Sequence, residues 1–158
     1  MKLESLILFS LVCSIGLIPL ENVFSESTYP TNIVALDAET DGVNGFTELD
    51  GARGVDAFTI GTSTYAIVVS MRDDGIQMID ISDPTNIVAN DALADDDSLE
   101  LYGTYSVDTF TIGSSTYAIV VSANDDGIQM IDISDPTNIV ALDAETDGVN
   151  GFTDLDGA

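Results

Sequence analysis

The sequence predicts an all-β chain assembled from tandem four-stranded units, and three observations predict it. Gly61, Tyr65, Gly75, Asp80 and Pro84 recur as Gly113, Tyr117, Gly127, Asp132 and Pro136, each 52 residues later, and 27 of 30 positions agree between 60–89 and 112–141. A second match joins 30–52 to 136–158, with 22 of 23 positions identical. Beyond residue 25 the apolar residues fall in short β-branched runs separated by turn signals, with no sustained helical period. Four short strands in a tandem unit of roughly forty to fifty residues are the mark of β-propeller blades. A β-solenoid is the competing architecture, but its coils are usually shorter. The chain holds a partial unit (30–53), two units (about 54–105 and 106–141) and the start of a further connection (142–158), so the expectation is an incomplete propeller.

Within a unit, residues 55–60 form the first strand and Gly61-Thr62-Ser63 the turn after it. Residues 64–70 (TYAIVVS) are nearly unbroken apolar and β-branched, as in a strand buried on both faces. Asp73-Asp74-Gly75 is a hairpin signal, 76–81 the third strand, and Asp83-Pro84 the opening of a type I turn. Ile87-Val88-Ala89 is the fourth strand, after which the sequence turns acidic. Residues 32–36 are read as a lone copy of that fourth strand.

Tyr65 to Ser70 followed by Asp74-Gly75-Ile76-Gln77-Met78-Ile79-Asp80-Ile81-Ser82-Asp83-Pro84 resembles the LVIVD repeat. The resemblance implies a β-propeller-like fold in an exported protein, and it brings no catalytic residues with it. Gln77 stands where the pentapeptide usually has an apolar residue, which suggests a strand with one face nearer solvent.

The N-terminus has the form of a signal peptide over residues 1–25. Lys2 precedes an uncharged, mostly apolar run at 6–20, which as a helix spans only about 22 Å against the roughly 30 Å hydrocarbon core. Pro19 breaks that helix, and Val23-Phe24-Ser25 supplies a cleavage point with a small residue. An uncleaved anchor is the alternative. Cys13, the chain's one cysteine, lies inside the run; Val12 before it is too large for lipoprotein processing. The repeat region, 26–158, therefore has no disulfide available and is held by packing and sheet hydrogen bonds. The expected location is secreted or cell-surface, with no membrane insertion after cleavage.

Twenty-eight acidic residues face three Lys and Arg and no His, a net charge of −25. Such a surface repels nucleic acid and anionic membranes, leaving cations, or protein and carbohydrate ligands, as partners. If the strands run up and down, the second turn and the connection between units share one end. That end collects Asp73 and Asp74 with Asp37, Glu39, Asp41, Glu48 and Asp50, and then Asp125 and Asp126 with Asp95, Asp96, Asp97 and Glu100. The opposite end carries almost no charge.

Asp37, Glu39, Asp41, Gly42 and Glu48 match the spacing of a twelve-residue calcium loop, with Glu at its third position. The copy is Asp143, Glu145, Asp147, Gly148 and Asp154. The flanks are strands and Asn44 occupies the usual aliphatic position, so this is not an EF-hand. These eight carboxylates are the candidate metal ligands and calcium is the candidate ion. In the middle connection Leu93 and Asp96 replace Glu39 and Gly42, which removes the pattern. Without His, and with no Lys or Cys after residue 25, most nucleophilic and acid–base chemistry lacks its side chains. The expected function is a non-enzymatic binding module. The alternatives are a structural surface or adhesion component and, less favoured, a glycoside hydrolase using two carboxylates.

Overall fold

Eight strands make two antiparallel four-stranded sheets in a computed structural model that describes residues 34–96 and 98–157. The first sheet runs β1 (Ala52–Ile60), β2 (Ser63–Ser70), β3 (Gly75–Asp80) and β4 (Val88–Ala94). The second repeats it as β5 (Thr104–Ile112), β6 (Ser115–Ser122), β7 (Gly127–Asp132) and β8 (Val140–Thr146). Each sheet is a simple meander in which every strand pairs with its neighbour in sequence. The all-β prediction, its four strands per unit and the repeat are as expected. The signal peptide (1–25) and residues 30–33 of the partial unit lie outside the described residues. Among the described residues no helix is long and apolar enough to cross a membrane.

Strand ends differ from expectation in three places, each for a physical reason. The fourth strand continues into the acidic stretch, because the ladder with β3 runs on to Gly75↔Ala94 once a bulge between Met78 and Ile79 has absorbed Asn90. Residues 142–146 belong to β8 for the same reason and are not connection. Val34, Ala35 and Leu36 are not in a strand: their copies Val140, Ala141 and Leu142 pair with β7, and no described third strand precedes the partial unit.

The hairpin after β2 also differs in detail. Its loop is Met71 to Asp74, closed by the Ser70↔Gly75 pair. Asp74, not the glycine, takes the left-handed conformation at φ 54°. Gly75 is required instead by crowding: a Cβ there would stand 2.7 Å from the Leu93 carbonyl oxygen and closer still to Glu48 Oε2. The Asp83-Pro84 turn is as read, with Asn86 N–H donating to Asp83 O and the Asp83 carboxylate accepting from Thr85 N and Oγ1.

The main core lies between the sheets. Ile67, Val69, Ile76 and Met78 of the first pack with Val107, Ala118, Val120 and Ile131 of the second, and Leu101 from the connection closes the layer. Burying each large side chain contributes about 2 kcal/mol relative to leaving it in water. Phe58 and Tyr65, opposite one another on β1 and β2, place their rings 5.9 Å apart at the margin. A second cluster forms where Phe46 packs on Ala66 and Ile79, on the other face of the first sheet.

Gln77 overturns the expectation of a solvent-facing strand. It is fully buried, as is Gln129 to within 2%. Its Oε1 accepts from Thr47 N and Glu48 N, and its Nε2 donates to Asp91 O and Met78 O. One amide thereby ties the connection to two strands. Gln129 repeats this with Glu100 N, Asp143 O and Met130 O.

Candidate functional site

The end that carries the β2–β3 hairpin also carries the connection. Asp95 N–H donates to Asp74 O at 2.7 Å, and Gly103 N–H donates to Asp74 Oδ1 at 2.7 Å. On the second sheet Asp147 N–H and Gly157 N–H make the same bonds to Asp126. Asp73 and Asp125 accept from Asp50 N and Tyr102 N. The serines ending β2 and β6, Ser70 and Ser122, donate to Glu48 O and Glu100 O, 2.7 Å in both. The backbone of the acidic end is thus laced by carboxylates.

The predicted metal ligands are distributed among separate partners. Asp37 accepts from Ala38 N at Oδ1 and from Ile87 N at Oδ2. Glu39 holds the Asn44 side chain, as Glu145 holds Asn150. Asp41 accepts from Leu49 N and Asp147 from Leu155 N. Asp154 meets only the Thr153 hydroxyl, at 3.4 Å, and the Asp143 side chain is exposed beside Glu145. Of the first four, Asp41 comes close enough to Glu48 to raise the cost of ionising Glu48. Among the described residues no three carboxylates are gathered where they could hold a metal ion. Asp41 makes its bond through Oδ1, so its backbone role leaves Oδ2 without a partner among these bonds.

The middle connection keeps the backbone-binding role of these aspartates. It lacks the calcium spacing yet keeps two aspartates four apart, Asp91 and Asp95, matching Asp37 and Asp41, and Asp143 and Asp147. Asp91 accepts from Ile139 N at 2.8 Å and Asp95 from Leu101 N, the same bonds that Asp37 and Asp41 make. Sequence reasoning also missed Asp56, whose Oδ2 takes both the N–H (2.8 Å) and the hydroxyl (2.5 Å) of Thr109 on the other sheet.

Glu48 is the exceptional carboxylate. Its Oε2 is buried and has no hydrogen-bond partner. Burial, then repulsion from Asp73 and Asp41, push its carboxyl up to about 7; the neighbouring Thr47 hydroxyl opposes the shift and Asp74 adds to it. In the second repeat Glu100 has a partner, the Thr146 hydroxyl at 2.8 Å. The corresponding residue of the first repeat is Ala94, opposite Gly75 as Thr146 is opposite Gly127. Asp95 is raised as well, chiefly by burial, with Leu101 N–H opposing and Asp125, Asp74 and Asp96 adding repulsion.

Because the folded carboxyl of Glu48 binds its proton more tightly than the unfolded one, its contribution to stability is complete below about 4.5 and lost as pH rises through about 7. After allowance for solvent screening this amounts to about 1 kcal/mol. Urea midpoints should therefore fall between pH 5 and pH 8, Glu48→Gln should flatten that slope, and Ala94→Thr should lower the Glu48 midpoint measured by NMR. An unchanged slope in Glu48→Gln would place the titration elsewhere.

Arg72 pairs with Asp50 at 3.1 Å on the exposed surface, a contact of little worth in water. Arg53 lies over the Tyr105 ring, 5.5 Å from its centre. No protein-family model and no curated protein matches the chain.

Proposed function

We propose that the chain is an exported, non-enzymatic β-propeller repeat module whose two sheets are blades, and that its acidic end binds a cationic partner. The observation that carries this reading is the repeated gathering of like charge at one end: Glu48 with Asp41, Asp73 and Asp74, then Asp95 with Asp74, Asp96 and Asp125. Holding carboxylates together against their repulsion costs stability, and such clusters are kept where an incoming positive charge offsets the cost. The meander topology and the resemblance of β2 and β3 to the LVIVD repeat support the blade assignment. The residue inventory supports binding over catalysis.

Titration calorimetry with a lysine-rich peptide and, separately, with calcium distinguishes the kinds of cation. A saturable signal weakened several-fold in Glu48→Gln/Asp73→Asn is expected. Equal binding by that variant would reduce the acidic end to a diffuse counterion attractor. The structural-component reading is favoured by a different feature, the uncovered apolar face of the second sheet.

A further inference from the structure

The two sheets carry nearly the same residues in different surroundings. Ile67, Ile76 and Met78 are fully buried because the second sheet covers them. Their copies Ile119, Ile128 and Met130 are partly exposed and line an open hollow with Asp143, Ala144 and Glu145. The converse holds on the other side of the molecule: Val107 is 9% exposed in the interface, while its copy Val55 is 65% exposed and borders a shallow hollow with Gly54 and Val68. Polar groups follow the same rule. Asp56 and Asp91 of the first sheet reach Thr109 N and Ile139 N of the second. Among the described residues the copies Asp108 and Asp143 accept from no other sheet; Asp108 meets only the adjacent Thr109 N–H.

We propose that the outer face of the second sheet binds the outer face of the first sheet in another copy of this chain, repeating between molecules the contact that joins the sheets within one. Ile119, Ile128 and Met130 then meet Val55 and Val68 of the copy, and Ala66 once the Phe46 that covers it is displaced, as Ile67, Ile76 and Met78 meet Val107, Ala118 and Val120. Asp108 faces the copy's Ala57 N–H. Asp143 faces the copy's Ile87 N–H, which that copy's own Asp37 holds at 2.8 Å. Residues 34–51 of one molecule and 140–157 of the other agree at 17 of 18 positions, so one displaces the other with like-for-like contacts. The contact is head-to-tail, so it generates a ring or a growing filament and not a two-fold dimer.

One position departs from the internal interface. Gly54 lets β1 approach β5, where a Cβ would stand 3.2 Å from Ser106 Cα. Its copy is Ser106, which brings such a Cβ to the new interface and holds the two faces apart by a few tenths of an ångström.

Light scattering on the full chain after size exclusion tests the proposal in about 0.5 M NaCl, where screening shortens the reach of the −25 charge to roughly 4 Å. The expected result is a concentration-dependent mass of two or more copies. Ile119→Asp/Met130→Asp should return it to a monomer with an unchanged circular dichroism spectrum. Ser106→Gly, which restores the internal geometry, should tighten association several-fold. A monomer throughout, an oligomer indifferent to the aspartates, or weakening by Ser106→Gly would each overturn it.

Discussion

Replacing Gln77 by leucine should destabilise the protein by about 3 kcal/mol or more, although the side chain is apolar, similar in size and placed in a core. The cost arises from what the amide leaves behind. Thr47 N–H and Glu48 N–H lose their acceptor and Asp91 O loses a donor; these bonds are part-buried, and three such losses at about 1 kcal/mol each account for the total. Gln129→Leu should cost less, since Gln129 accepts from Glu100 N alone and not from two N–H groups. Urea unfolding of both variants checks the order. A neutral Gln77→Leu would mean that the connection finds other partners.

Gly75→Ala should be the second most damaging change, at about 2–3 kcal/mol, the range of overpacking in a well-filled interior. The new methyl meets the Leu93 carbonyl oxygen at 2.7 Å as well as Glu48 Oε2. Leu93 is held in the β3–β4 ladder, so its oxygen withdraws only by breaking the sheet. At Gly127 the nearest atoms all belong to the Glu100 side chain, which has rotamers to use. Gly127→Ala should therefore be tolerated better, and thermal midpoints of the two variants give the comparison. Equal losses would show that the carboxylate, and not the carbonyl, sets the constraint.

The repeat and its first three strands were legible because glycine, proline and β-branched runs punctuate them directly. The reach of β4 was not, because Asn90 and Asp91 are poor strand formers, and only the bulge beside Met78 reveals how they are accommodated. Gln77 looked like a concession to solvent because its partners lie 29 and 30 residues back, in a connection with no regular structure. The acidic end was placed correctly from the alternation of turns. The bonds its carboxylates make were not legible: Asp37 and Asp41 accept from Ile87 N and Leu49 N, partners that the spacing of the acids does not announce. Asp91 and Asp95 in the divergent connection make the same bonds, so the backbone role does not depend on the calcium spacing.

Three aspartates that bind one repeat to the next each accept from a main-chain N–H, and only Asp56 takes its recipient's hydroxyl as well. Asp56 reaches Thr109 N, Asp74 reaches Gly103 N, and Asp91 reaches Ile139 N. A peptide N–H is present at every residue except proline, so the recipient's side chain is free to vary, as it does between Ala57 and Thr109. A pairing of Lys with Glu across the same seam would instead be lost when either side chain was substituted. Here a repeat can diverge on its recipient side and still be held by its neighbour's carboxylates.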